Sequence, residues 1–417
     1  MGMQSRSERM LGGLLQGSHL ASLEDLPTLV AEHAALVGFS ETMIYVVDLQ
    51  QQSLLPLPGQ YDASGRTLEP IRIDTTMAGW AFRNVDVARA WHTAASSATV
   101  FSAPSAEREP RRLWIPLLDG TERLGVLGIT VPDLDETSQQ WANQLASLVS
   151  LLMVSKRDTS DAYALLVRAD RMTVPAEVLW NLMPSTTLAN DRIVISAVLE
   201  PAYNVGGDAY DYALNGDVLH LSVFDAMGHD LAAGLTASTA MGASRSSRRQ
   251  GKDLVTIGEV IDEAVAEQFD PPRFTTGVLA TLDTRTGLLT WINRGHHPPL
   301  VLRRGRQVAT LDSPSSPPMG IGLGLSAEPA RYQLEPGDRL LFFTDGVTEA
   351  RSPDGELFGL ERFTDFIIRR EADGLSAPET LRRLMQTILE HQEGRLQDDA
   401  TVLLVEWATQ RHRQLTP

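Results

Sequence analysis

Four aspartates stand at the ends of apolar, strand-like runs in the second half of the chain. Asp208 opens "DAYDYAL" just after two glycines, Asp225 follows "DVLHLSVF", Asp345 follows "RLLFFT" and Asp398 comes just before "ATVLLVEW". A carboxylate beside a core is costly unless something compensates it. Local geometry brings two of them together. Asn215-Gly216 between alternating runs reads as a two-residue hairpin turn, setting Leu214 opposite Asp217 and Asp208 opposite Val223. Paired residues share a face, as do residues two apart on one strand. Asp208 and Asp225 therefore fall on one face, one diagonal apart. If all four carboxylates converge, each like-charged pair at about 5 Å and an effective dielectric of about 20 costs about 3 kcal/mol. Two divalent cations cancel that repulsion, and oxygen-only ligands suit Mg²⁺ or Mn²⁺.

Composition narrows the alternatives. The chain contains no cysteine, which removes zinc–thiolate sites, disulfides and cysteine nucleophiles and fits a reducing cytoplasm. A net charge of −17 argues against non-specific nucleic-acid binding. No apolar run is long enough for a membrane span, and the opening "MGMQSRSERMLGGLLQGSHLASLEDL" has no apolar segment of the signal-peptide kind. At 417 residues, two or three domains are expected.

The elements around the acids divide into three stretches. Residues 20–137 read as a small α+β unit, with a helix near 23–37, the strand "TMIYVVDL", and a hairpin from "RRLWIPLLDG" to "RLGVLGITV" turning at Asp119-Gly120. This pattern resembles a GAF domain, a fold that often cups a small ligand. Trp80, Trp91, His92 and Trp114 would line such a pocket, although aromatics so spaced more often form plain core. Residues 138–185 read as a helical linker. Trp141, Leu145, Leu148 and Leu152 step by four, three and four, the seam of a dimerising coiled coil, and Ser155, Thr159, Ala162, Leu166 and Ala169 continue the register more weakly. The plainer alternative is a helix packed on its own domain. Residues 190–408 alternate strand runs with helices near 230–247, 253–268, 358–371 and 378–392, an α+β arrangement.

Seven stretches of this last region resemble, in order, the bacterial RsbU/SpoIIE branch of the PPM/PP2C metal-dependent Ser/Thr phosphatases. They are "EPAYNVGGDAYDY", "VFDAMGHDLAAG", "FTTGVLATLD", "GHHPPLVLR", "SPPMGIG", "LEPGDRLLFFTDGVTEARSPDGELFG" and "LQDDATVLLVE". The resemblance implies an α-β-β-α sandwich. It also implies that Asp225 bridges two Mn²⁺ or Mg²⁺ ions, with the Ala226 carbonyl and Asp208 completing one site and Asp345 and Asp398 holding the other. Asp225 and Asp345 are then the residues on which catalysis most depends. A water between two such cations has its pKa lowered from about 15.7 to about 7 and attacks phosphorus in line. Asp211 and Asp399 are less certain ligands, Asp399 serving instead as a loop anchor; His229 and His296 match histidines that look structural.

Three departures from the family pattern stand out. Asp230 replaces a glycine where a helix begins, a favourable N-cap. Arg294 replaces an alanine, placing a cation near the edge of the fold. No arginine clamps the phosphate, and the run "RSSRRQGK" (Arg245, Arg248, Arg249, Lys252) reads as a solvated helix end or a contact for an acidic partner. The resemblance implies a phosphatase acting on a phosphorylated STAS-type anti-sigma-factor antagonist; the seam on 141–152 suggests a homodimer, the absence of cysteine a cytoplasmic setting, and the charge and hydropathy no nucleic-acid or membrane partner. A non-catalytic protein with the same fold is the alternative, which the presence of all four aspartates opposes. "GIGLG" at 320–324 lacks the lysine and spacing of a P-loop, so a nucleotide-binding enzyme is not supported.

Overall fold

The structure, a computed structural model, describes residues 6–62, 64–90, 111–200, 203–204, 206–394 and 396–416. Two compact units divide the chain, the second spanning Asp170–His412 and the first holding the residues on either side of it.

The N-terminal unit holds α1 (Arg6–Gly17), α2 (Leu26–Ala34), β1 (Ser40–Val47), β2 (Ser53–Pro56), β3 (Ile71–Arg72), α3 (Met77–Asn84), β4 (Ala88–Ala90), β5 (Arg112–Asp119), β6 (Glu122–Thr130), α4 (Glu136–Arg157) and α5 (Asp161–Leu166). Its strands form one antiparallel sheet in the order β3-β2-β1-β6-β5-β4. Alternation decides what each face buries. Ile44, Ile115 and Leu127 pack under α1, α2 and α4, whereas Tyr45, Trp114 and Val126 pack under α3. Trp114 is core, 2% exposed and edge-on to Tyr45 at 5.9 Å between ring centroids. Trp80 packs half-buried against the same cluster; Trp91 and His92 lie outside the described residues.

The seam on α4 faces inward. Leu145 and Leu152 are buried in the unit's own core, with Trp141 and Leu148 packed against it. The helix stops at Arg157, and Ser160 caps a separate α5, so the register does not run on to Ala169 in one helix. The period was legible in the sequence, but the surface it covers is this domain's sheet, which removes the sequence argument for a dimer through these residues.

The C-terminal unit begins with α6 (Val174–Leu182) and continues through β7 (Thr187–Ala189), β8 (Ile193–Glu200), β9 (Asp208–Asn215), β10 (Val218–Ala226), α7 (Leu231–Arg249), α8 (Leu254–Gln268), β11 (Thr275–Asp283), β12 (Leu288–Arg294), β13 (Leu300–Arg303), β14 (Arg306–Thr310), β15 (Ala330–Gln333), β16 (Arg339–Phe343), α9 (Asp345–Thr348), α10 (Leu360–Ala372), α11 (Ala377–His391) and β17 (Ala400–Trp407). Two sheets result, ordered β15-β12-β11-β10-β9 and β14-β13-β16-β17-β8-β7. Their inner faces share one core, in which Leu219, Val223 and Val278 meet Ile193, Ile195 and Leu403. α7 and α8 pack on the first sheet, α11 on the second, giving the α-β-β-α layering. α6 belongs to this unit and not to a free linker: Ala176 and Leu179 are core residues, and a Cβ on Gly234 of α7 would lie 2.5 Å from Pro175.

The β9–β10 hairpin corrects the register expected from sequence. Asn215 pairs with Val218, so the turn is Gly216-Asp217 and not Asn215-Gly216. Only Gly216 takes a positive φ, +60°, the signature of a II′ turn with glycine first. Gly120 does the same between β5 and β6, where Asp119 pairs with Glu122. In both hairpins the acidic or amide residue before the glycine is the last residue of its strand.

Candidate active site

The corrected register places Asp208 directly across from Asp225. Like charges directly opposite on antiparallel strands repel, and here the pair sits at the end of a sheet whose partner sheet delivers more acid. Asp345 starts α9 immediately after β16, and Asp398-Asp399 lead into β17. Gly346 serves close approach, not a sharp turn: a Cβ there would lie 1.9 Å from the Asp399 carbonyl oxygen. A Cβ on Gly207 would lie 2.4 Å from the Ala226 carbonyl oxygen, and the Ala226 N–H donates to the Gly207 carbonyl at 3.1 Å. Small residues thus let the acid-bearing segments touch backbone to backbone.

The carboxylates act on one another. Burial pushes the Asp225 carboxyl up to about 7, helped by the charges of Asp345, Asp398 and Asp399. Asp208, 2% exposed, is raised well above the carboxylate range by burial and then by Asp399 and Asp225. Two hydroxyls oppose that shift by donating to its Oδ2, Thr344 at 2.6 Å and Thr401 at 2.7 Å. Asp398, at the exposed rim, is raised by desolvation and by Asp345, opposed first by the Asp399 N–H, which donates to its Oδ1 at 2.9 Å, and then by His229.

Asp399 has a different task. Its Oδ2 accepts the backbone N–H groups of Gly206 and Gly207 at 2.7 Å each and of Asp208 at 3.2 Å. It anchors the glycine loop that delivers Asp208. Asp211, three residues along β9, points to the opposite face, where Arg245 and Arg248 of α7 bind it at 2.7 and 2.8 Å. That run of basic residues is therefore neither a plain solvated end nor free for a partner at these two positions, because both hold a buried carboxylate of their own domain.

The histidines separate likewise. His296 is half-buried between Thr276 (2.8 Å to Nδ1) and the Phe343 carbonyl (3.1 Å from Nε2), and desolvation lowers its pKa to about 4. With only an acceptor facing Nε2, that nitrogen carries the proton and Nδ1 accepts from Thr276, a neutral strut beneath the acids. His229 is exposed, on the turn between Asp225 and α7. Asp230 caps α7 as expected, accepting the Ala233 N–H at 2.9 Å, and Arg273 binds both its carboxylate and the Met227 carbonyl. Arg294 is not at an edge. It is 1% exposed and donates to the Pro317 carbonyl at 2.8 Å, beside Asp262, which accepts the Gly320 and Gly322 N–H groups. The two side chains pin the 312–329 loop at its middle, and 321–326 form its longest exposed run.

Sequence reasoning missed Thr344, Thr401, Thr276 and the Arg294–Asp262 clamp. Thr344 and Thr401 each lie close in sequence to a motif acid, in "FFTDG" and "DDAT", and a hydroxyl beside a buried carboxylate is a signal that could have found these two.

With this geometry in view, the comparisons are direct. Residues 215–408 match the family described as Stage II sporulation protein E, SpoIIE. The C-terminal domain belongs to the SpoIIE family. The match takes in Asp225, Asp345, Asp398 and Asp399 and begins just beyond Asp208. Protein IcfG of Synechocystis sp. is 28% identical over 262 residues, covering 55% of this chain and 40% of its own length. Phosphoserine phosphatase RsbU of Bacillus subtilis is 24% identical over 237 residues, covering 56% and 68%. Among solved structures, the RsbU and RsbW domains of Rv1364c from Mycobacterium tuberculosis are 24% identical over 54% of this chain and 61% of that one, with a TM-score of 0.45. The chain thus spans less than half the length of IcfG.

Among the described residues, no three His, Asp or Glu side chains are grouped closely enough to hold a metal ion as they stand. The donor chemistry of the SpoIIE-family domain nevertheless fits divalent cations. It offers carboxylate oxygens only, unbalanced by any nearby cation strong enough to keep Asp225 in the usual range. A linkage follows. A carboxyl bound to its proton more tightly in the folded than the unfolded state favours folding at low pH, and that contribution is lost as pH rises. For Asp225 the window runs from about 4 to about 7, with on the order of 4 kcal/mol at stake. Melting the chelator-treated protein should show stability falling across that window, with a shallower fall in Asp225→Asn. A variant whose profile matches the parent would remove Asp225 as the source.

Proposed function

We propose that the C-terminal domain is a metal-dependent protein phosphatase that hydrolyses phosphoserine or phosphothreonine in a phosphoprotein. The observation that carries this reading is the set of mutually repelling aspartates at the ends of both sheets, with Asp225 driven to about 7. Membership in the SpoIIE family supports it, as does likeness to a relative named as a phosphoserine phosphatase.

In this reading Asp208, Asp225 and the Ala226 carbonyl would hold one Mn²⁺ or Mg²⁺ ion, and Asp345 and Asp398 would hold a second with Asp225 serving both. Bound there, the cations supply Lewis acidity to the phosphoryl oxygens and lower the pKa of an attacking water. The chain's own contribution is positioning. Thr344 and Thr401 fix the Asp208 carboxylate, leaving its other oxygen for a ligand; Asp399 holds the loop that carries it; His296 props the two sheets apart while remaining neutral. The phosphoprotein is a STAS-type anti-sigma-factor antagonist, and the N-terminal unit is a GAF-like sensor of a small ligand that regulates the reaction in the cytoplasm. No helix among the described residues is long and apolar enough to cross a membrane.

Hydrolysis of p-nitrophenyl phosphate and of a phosphoserine protein should require Mn²⁺ or Mg²⁺ and stop in excess EDTA. Turnover that survives the chelator would exclude the two-metal reading. Binding of the phosphoprotein without turnover in Mn²⁺ would leave the fold in a non-catalytic role.

A further inference from the structure

A cavity of ≈ 410 Å³ opens beside the acid cluster and shares Asp398 and Asp399 with it. The start of α6 (Thr173, Pro175), Asn204 two residues before Gly206, the start of α7 (Leu231) and the approach to β17 (Leu396, Gln397) form the rest of its wall together with His229. The charged side chains of its described wall are the carboxylates of Asp398 and Asp399, which do not favour an anion. Asn204 and Gln397 are exposed and make no hydrogen bond with any described residue, which leaves two amides able both to donate and to accept. Leu231 is 49% exposed, and Leu235, one turn further along α7, is 43% exposed. An unpaired apolar stripe thus leads away from a polar-walled hollow that touches the reaction centre.

We propose that this cavity is the subsite for the polypeptide flanking the phosphorylated residue, and that it selects an uncharged segment bearing an apolar side chain. The proposal rests on the phosphatase reading above. The phosphate occupies the acid cluster with its cations, and the chain on one side of it runs into the cavity because the two spaces share Asp398 and Asp399. The Asn204 and Gln397 amides take the peptide backbone, whose N–H and C=O groups match them. A leucine-sized side chain of the substrate settles between Leu231 and Leu396. Selectivity thereby arises next to the chemistry, through contacts a bare phosphate cannot make.

The test uses the full chain with Mn²⁺ and a panel of short phosphoserine peptides, glycine-based, with a single leucine walked along the flanking positions. At one position leucine should raise kcat/KM over the all-glycine peptide by about tenfold, or about 1.4 kcal/mol, as partial burial of one leucine side chain gives. In Leu231→Gln and in Leu396→Gln that ratio should fall to about one; because it is taken within a single enzyme, a general loss of activity does not move it. Equal kcat/KM for all peptides in the parent protein would overturn the subsite and leave the phosphatase reading intact. A preference that persists in both variants would place leucine recognition elsewhere and overturn it too. Hydrolysis of no peptide and of no p-nitrophenyl phosphate would remove the reaction itself, and the subsite with it.

Discussion

Asp225→Ala is expected to lower kcat by about a thousandfold or more, the loss of roughly 4 kcal/mol of transition-state stabilisation, and to raise the melting temperature of the chelated protein at pH 7.5. The two effects have one origin. Asp225 stands opposite Asp208 across β9 and β10 and feels Asp345, Asp398 and Asp399 from the other sheet. Its charge is costly to the fold without cations, and under the proposed reading it is the one side chain that serves both of them. A carboxylate kept at a repelled position is a functional feature that stability alone would discard. Asp225→Asn keeps the volume and drops the charge, so it should share both effects if alanine opens a cavity that blurs the second. An Asp225→Ala enzyme with the parent's kcat in Mn²⁺ would show that the residue bridges nothing.

Much of this site was legible because its geometry is local. Asp208 and Asp225 lie on strands joined by a two-residue turn, so alternation alone puts them on one face whether the turn is Asn215-Gly216 or Gly216-Asp217. The shift between those readings moves Asp208 by two residues, which preserves the face and turns a diagonal neighbour into a direct one. Face was therefore readable and distance was not. The acids at Asp345 and Asp398 were legible as strand ends, and the six-stranded order that sets β16 beside β17 came only with the fold.

Pairings between distant segments were the part that sequence hid. Asp211 alternates oddly with Asp208 along β9, and only the packing of α7 across that face shows why a buried acid is tolerated there: two arginines of the helix meet it. Arg294 looked like an edge substitution because nothing in "INRGHH" names its partners, Pro317 and Asp262, which come from a loop and a helix. The α4 seam failed differently. A heptad step reports that one helix face is apolar and says nothing of what covers it; here the domain's own sheet does.

The same cluster holds an acid whose removal should act in the opposite direction from Asp225. Asp399→Ala is expected to cost on the order of 4 kcal/mol of stability, lowering the melting temperature by about 8–16 °C for a domain of this size. Asp399 is 6% exposed, and its Oδ2 is the acceptor for three consecutive backbone N–H groups, those of Gly206, Gly207 and Asp208. Alanine removes the acceptor of all three donors at once. The residue's own desolvation, which raises its pKa, returns part of that cost when the charge is removed, yet three charge-assisted bonds outweigh one such penalty. Asp399→Asn separates the terms: it loses the charge and keeps a carbonyl oxygen for the loop, so it should melt within about 1 kcal/mol of the parent. Activity should track the loop. Once the loop is released, Asp208 is no longer held against Thr344 and Thr401, so kcat in Asp399→Ala should fall further than in Asp399→Asn even at temperatures where both are folded. Equal melting temperatures for the alanine variant and the parent would mean that the loop is fixed by its packing against Ala226 and His229 and that the Asp399 carboxylate is dispensable to the fold.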